Sequence, residues 1–134
     1  MILPFPNLRP FPGSARKSIP PQEALLWKIE RTLWGGRLSE ARASTAADAV
    51  FILPDQSCPL RGVDIWTGWL QASDWSSVSL LDRLFTRSGG TILLAYRVSA
   101  NQADSAIFEA LCMSSFHLRE GDWLRVSHQQ TLLA

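Results

Sequence analysis

The stretch "GDWLRVSHQQT", residues 121–131, decides how the chain is read. Taken with the period of two of a β-strand, it splits into two rows. Leu124, Val126, His128, Gln130 and Leu132 form one; Trp123, Arg125, Ser127 and Gln129 form the other. The first row begins and ends apolar, so it is assigned to the protein interior, which puts a histidine and an amide on inward positions. Arg125, Ser127 and Gln129 are then expected on the outer face.

Working backwards, "SAIFEALCMSSFHLR" precedes this strand, and Glu120-Gly121 has the form of a two-residue hairpin turn. That register sets His128 opposite Met113, Gln130 opposite Leu111, Val126 opposite Ser115 and Leu124 opposite His117. Glu109 falls on the same predicted face as His128. Further upstream, "WSSVSLLDRLFTRS" and "TILLAYRVSA" flank Gly89-Gly90 and predict another hairpin, with Asp82 across from Arg97 as an opposite-charge pair. From residue 75 onward the pattern is therefore a four-strand antiparallel meander.

The first half of the chain reads differently. Pro20-Pro21 opens a helix over "PQEALLWKIERTLW", with Glu23 in its first turn and Gly35-Gly36 as the stop. Leu26, Ile29 and Leu33 mark one face, and Leu25, Trp27 and Trp34 widen it, as in a helix covered on more than one side. A short helix is expected over 38–47, then a buried strand in "AVFILP" closed by Pro54. After the loop "DQSCPLRG", a third helix is expected over 63–72, with Trp66, Trp69 and Leu70 inward and something packed closely against Gly68. Helices gathered ahead of an antiparallel sheet define an α+β domain over 21–134. Residues 1–20 carry Pro-Phe-Pro twice and are expected to form an extended, proline-rich arm. Phe5 and Phe11 would let that arm pack on the chain itself or on a second subunit.

Composition narrows the function. The chain has 134 residues, 46% hydrophobic, 19% charged, with net charge +1 and no basic run. Nucleic acid and anionic membrane surfaces call for clustered Lys and Arg, so neither is expected as a partner. The proline-broken start and the lack of a long apolar run predict a cytoplasmic protein. Two cysteines, Cys58 and Cys112, form no CxxC, and Cys112 sits in an apolar run where a buried free thiol is the ordinary outcome. Neither a metal nor a cofactor is expected: the two histidines lack partners at ligand spacing, and no glycine-rich phosphate loop or serine elbow is present.

The order of these segments, ending in Gly121, Trp123, His128, Gln129, Gln130 and Thr131, resembles the nuclear-transport-factor-2-like superfamily. That group is also called SnoaL-like or ketosteroid-isomerase-like. The match is nearest to its bacterial DUF4440-type branch, whose members end in a similar His-Gln-Gln-Thr motif. The resemblance covers about residues 21–132. It implies three N-terminal helices packed on a curved, mainly antiparallel sheet, forming a cone whose open end is a pocket. It also implies a homodimer through the outer face of the sheet. In such isomerases a carboxylate base precedes a proline at the end of the first strand; here that position is Leu53, before Pro54. Their tyrosine and aspartic-acid oxyanion donors fall near Ile29 and Ser114, which are not strong donors. Isomerase chemistry of that kind therefore lacks its parts.

His128 is the foremost site candidate. Its ring is suited to general-base work near neutral pH, and equally to a structural role bonded to Gln130 or helix backbone. Asp55 is an alternative acid or base, or a turn residue after Pro54. Val126, Met113 and Ser115 would line the pocket beside His128 and Gln130; Tyr96, Trp27, Ile29, Leu53 and Trp66 would complete it, or serve as plain core. A small, unidentified, apolar organic ligand held in that cone is the expected function. The alternatives are a cyclase, isomerase or hydrolyase using His128, and a structural dimerisation domain.

Overall fold

A computed structural model describes residues 21–35, 37–71, 75–102 and 106–133. The expected proline-rich arm lies outside the described residues. Three helices pack on one six-stranded mixed sheet. Helix α1 spans Pro21–Gly35, α2 spans Leu38–Ala43 and α3 spans Val63–Gln71. The strands are β1 (Thr45–Ile52), β2 (Leu60–Arg61), β3 (Trp75–Ser88), β4 (Thr91–Gln102), β5 (Phe108–Arg119) and β6 (Asp122–Leu132), in the spatial order β2-β1-β6-β5-β4-β3. Strands β3 to β6 form the expected antiparallel meander, and β1 runs parallel to β6 along its other edge.

Both hairpins turn where the sequence places them. Gly89 takes φ +60, while Glu120 and Gly121 both take left-handed φ at the second turn, as a tight two-residue turn between twisted strands requires. Beyond the turns, each hairpin loses its simple register at a bulge. In the first, the slip between Leu81 and Leu84 sets Arg97 opposite Leu81 rather than Asp82. Asp82 adopts φ 54 at this bulge and still meets Arg97 at 3.0 Å.

The second bulge has larger consequences. Phe116 pairs with Arg125 but Ser115 pairs with Ser127, so Val126 is the extra residue. A one-residue insertion reverses which side of the sheet the following side chains face. Arg125 is consequently inward and fully buried, and His128 and Gln130 are inward and buried beyond the bulge. This corrects the expected outward position of Arg125. It also moves His128 opposite Ser114 and Gln130 opposite Cys112, in place of Met113 and Leu111. Leu124 faces His117 as expected, because that pair precedes the bulge.

The second helix is shorter than expected. It stops at Ala43, where the Ser44 and Thr45 hydroxyls donate to carbonyls of the last turn, at 3.1 Å from Ser44 to Glu40 and 2.8 Å from Thr45 to Ala41. The alanine-rich segment after it is a strand, since Ser44 and the residues beyond it pair with β6. Sheet pairing overrides the helical preference of alanine there. A Cβ at Gly68 would make only ordinary contact with Leu60 at 3.5 Å, so this glycine answers no close approach. The core runs between the helices and the inner sheet face, through Leu26, Leu33, Phe51, Ile65, Ile92, Leu94, Val98 and Phe116.

Candidate functional site

Helix α1 carries Glu30 on the same face as Leu26, Leu33 and Trp34, and all four are buried. A carboxylate so placed is stable only if it is paired and hydrogen-bonded. Its partner comes from β6: Arg125 donates through Nη2 at 3.0 Å and Nε at 3.2 Å to Glu30 Oε1. The same guanidinium donates to the Thr45 hydroxyl at 2.8 Å and the Ile29 carbonyl at 3.3 Å, and it lies 5.0 Å from the centre of the Phe116 ring. The second carboxylate oxygen accepts from Tyr96 Oη at 2.5 Å and Ser114 Oγ at 2.6 Å.

From Ser114 the network continues outward to β6. Ser114 Oγ lies 2.7 Å from His128 Nδ1, nearer than the 3.4 Å between that nitrogen and Glu30 Oε2. On the ring's other side, Gln130 Nε2 lies 3.2 Å from His128 Nε2. With the amide in this orientation it can only donate, so His128 Nε2 accepts and the ring proton sits on Nδ1. The bonds then run in one direction, from Gln130 to His128 to Ser114 to Glu30. Trp34 Nε1 donates to Tyr96 Oη at 2.9 Å and closes the network at α1.

The charge states follow. Burial alone raises a carboxyl's pKa, but the Arg125 guanidinium, with His128 and Ser114 hydrogen bonds, holds Glu30 well below the usual carboxylate range. Burial pushes His128 below its ordinary value despite the Glu30 charge, so the ring is neutral at pH 7. Burial, reinforced by Glu30, raises the Tyr96 phenol and the Cys112 thiol. The interior is therefore one buried ion pair surrounded by neutral hydrogen-bonding groups.

His128 is 1% exposed, and its ring packs against Phe51 (centroids 5.2 Å apart), Trp69 (5.7 Å) and Trp34 (6.3 Å). It does not border open space. What borders open space is Gln130, one step further along β6. Gln130 lies on the wall of a cavity of about 350 Å³, shared with Trp34, Leu53, Asp55, Trp69, Trp75 and Phe108. Trp34, Leu53, Trp69 and Gln130 are buried side chains. The hollow between α1 and β3, and the one beside Trp123, are lined largely by exposed residues such as Lys28.

The other expected pocket residues disperse. Leu53 and Asp55 reach the cavity with Gln130. Tyr96 belongs to the Glu30 network, and Trp27 packs edge-on against it at 5.8 Å. Ile29 borders the Trp123 hollow. Trp66 packs on Phe51 and does not line the Gln130 cavity, with the Arg42 guanidinium 5.9 Å from its ring centre. Val126 is the half-buried bulge residue. Met113 is half-exposed on the outer face, and Ser115 bonds Ser127 across the hairpin. These two are corrected from the inner to the outer side, a consequence of the shifted register. Glu109 likewise bonds Arg97 at 3.4 Å instead of sharing a face with His128.

Glu30 and Arg125 were not among the expected site residues. Their signal is present, though: Glu30 lies four residues after Leu26 and three before Leu33, on the helix's apolar face. Among the described residues, no group of three His, Cys, Asp or Glu side chains is placed to hold a metal ion, and no helix is long and apolar enough to cross a membrane.

No family model matches the sequence, and no curated protein matches it. Solved structures do share its architecture. A protein from Parabacteroides distasonis, provisionally described as a ketosteroid isomerase, superposes with TM-score 0.72 at 10% identity, over 90% of this chain and 92% of that one. An NTF2-like protein from Cytophaga hutchinsonii gives 0.70 at 11% identity, over 84% and 98%. The CamKII hub homology domain of Chlamydomonas reinhardtii gives 0.69 at 11% identity, over 84% and 97%. At such identities the likeness is one of fold: this chain has the NTF2-like, cystatin-like α+β architecture.

Proposed function

We propose that this protein is a binding domain that takes a small, largely apolar organic molecule into the cavity at Gln130. The observation that carries the reading is that cavity, walled by Trp34, Leu53, Trp69, Trp75 and Phe108 with one amide among them. Its volume of about 350 Å³ and its mostly apolar lining suit a small ligand oriented by few polar contacts. His128 then acts as a support: it fixes the Gln130 amide from behind, and both of its nitrogens are engaged. A base must reach a substrate proton within one hydrogen bond or one water. His128, 1% exposed and boxed by three rings, favours binding over turnover in this reading. The same proposal includes a place in the DUF4440-type branch and a cytoplasmic setting; the free thiols of Cys58 and Cys112 are compatible with the latter.

The test uses N-phenyl-1-naphthylamine, a neutral apolar fluorophore, titrated into the protein. Saturable binding with a blue-shifted emission is expected, and Leu53→Trp, which fills the cavity, should abolish it without lowering the melting temperature by more than a few degrees. Absence of saturable binding, or equal binding to Leu53→Trp, overturns the reading.

A second reading, self-association, is favoured by the outer sheet face. Leu84, Leu93, Leu111 and Met113 are all 38–68% exposed there, and Ile52 adds to them from β1. One of the similar structures is a hub domain. We propose a second copy of this chain as the occupant of that face, with the N-terminal arm available to it. A dimer in sedimentation that becomes monomeric in Leu111→Glu supports this; a wild-type monomer at high micromolar concentration opposes it.

A further inference from the structure

The six tryptophans fall into two sets. Trp27, Trp66 and Trp123 each carry a guanidinium of this same chain: Arg83 lies 4.9 Å from the Trp27 ring centre, Arg42 5.9 Å from Trp66 and Arg87 5.3 Å from Trp123. Among the described residues no arginine or lysine is so placed on Trp34, Trp69 or Trp75. Those three are the ones at the cavity.

Their geometry suits a concave aromatic wall. Trp34 stands 5.4 Å from Trp69 and 5.9 Å from Trp75, with ring planes at 65° and 53°. Phe108 lies 5.2 Å from Trp75 and 6.0 Å from Trp34, tilted by 44° and 40°. The indole N–H groups of Trp34 and Trp69 are committed inward, to the Tyr96 hydroxyl at 2.9 Å and the Leu33 carbonyl at 2.7 Å. These two rings therefore meet the cavity through aromatic carbon and offer it no free donor. Among the described lining residues, the one formal charge is the Asp55 carboxylate.

A wall of packed aromatic rings, with a carboxylate beside it, attracts a cation that carries apolar groups. The ring quadrupoles favour the positive charge, and the methyl groups fill the apolar volume. An anion would meet ring faces and a like charge. Resting on the cavity reading above, we propose that the ligand is an organic cation of the alkylammonium class. Its charged head would sit against the wall formed by Trp34, Trp69, Trp75 and Phe108, with Asp55 as the counter-charge. The Gln130 side chain would orient whatever polar group the ligand carries.

Three near-isosteres test this by calorimetric titration: choline, its neutral analogue 3,3-dimethyl-1-butanol, and the anion 3,3-dimethylbutanoate. Choline is expected to bind at least tenfold tighter than the alcohol, with the anion weakest. Asp55→Asn should weaken choline about three- to tenfold and leave the alcohol unchanged. Phe108→Leu keeps apolar bulk but removes a π face, and should weaken choline selectively. Equal or tighter binding of the alcohol or the anion overturns the cation assignment while leaving the cavity reading intact. If none of the three binds and the apolar fluorophore also fails, both readings fall; if the fluorophore binds and none of the three does, only the cation assignment falls.

Discussion

The interior around Glu30 and the cavity beside it both use Gln130, yet they treat polar atoms in opposite ways. In the interior, Glu30 accepts from four side-chain donors, and both His128 nitrogens are bonded. At the cavity, aromatic carbon dominates, and Asp55 stands exposed on the wall. The difference shows that inward polar residues on a strand need not mark a reactive centre. A saturated buried network rigidifies a core, and a ligand is more readily received where polar groups are few and still have capacity to bond.

The sharpest way to break the comparison is to remove one member of the ion pair. Glu30→Ala leaves the Arg125 guanidinium buried without its carboxylate, and should lower unfolding free energy by about 3–5 kcal/mol in urea titrations. The double variant Glu30→Ala/Arg125→Met should lose clearly less than the sum of the two single losses, because it no longer buries an unpaired charge. Losses under ~1 kcal/mol in the single variants would mean that water reaches the pair.

Acid titration separates the interior's members. His128 has a folded pKa below its unfolded value, so the unfolded chain binds the proton more readily. Its contribution is complete above about pH 6.5 and is lost as pH falls through the folded value, with a slope of at most ~1.4 kcal/mol per pH unit. Glu30 is shifted in the same direction from a lower starting value, so its contribution disappears only below the ordinary carboxylate range, about pH 4. Stability measured from pH 7.5 to 5 should decline in the wild type and stay nearly flat in His128→Gln. A flat wild-type profile would contradict a buried neutral histidine.

The cavity should respond the other way, with binding changed more than stability. Trp75 is half-buried and its ring packs on Trp34 and Phe108. Trp75→Ala should cost only about 1–2 kcal/mol of folding free energy from lost apolar burial, yet weaken ligand binding tenfold or more. Should stability drop by as much as in Glu30→Ala, Trp75 would belong to the core and the cavity would lose a wall.

Much of this arrangement was readable from residue order, and the failures have identifiable causes. Gly89-Gly90 and Glu120-Gly121 located both hairpins because tight turns demand particular backbone angles. Period-two alternation placed His128 and Gln130 inward, in agreement with their burial. Arg125 defies the simple alternation because the bulge at Val126 shifts the β5–β6 register and has no local sequence cue. Glu30 is masked in the sequence because the apolar spacing of α1 is complete without it, through Leu26, Ile29 and Leu33. Each of these two charges looks anomalous alone and is explained only by the other. Residues 45–47 have the local propensity of a helix because alanine favours it, whereas β1 is held by pairing with β6.

The outer face supplies the smallest and most discriminating effect. Asp82 meets Arg97 at 3.0 Å, but its side chain is 72% exposed, where an ion pair contributes less than ~1 kcal/mol. Asp82 also holds φ 54, a left-handed conformation that glycine adopts without strain. Asp82→Ala should lose the pair and keep the backbone cost, lowering stability by about 0.5–1 kcal/mol. Asp82→Gly should lose the same pair but relieve the backbone, landing within about 0.5 kcal/mol of wild type. If alanine and glycine behave alike, the bulge is held by sheet pairing alone. If glycine is the worse of the two, the Arg97 contact matters more than its exposure allows, and the contrast between a costly interior and a lightly held surface would need revision at this strand.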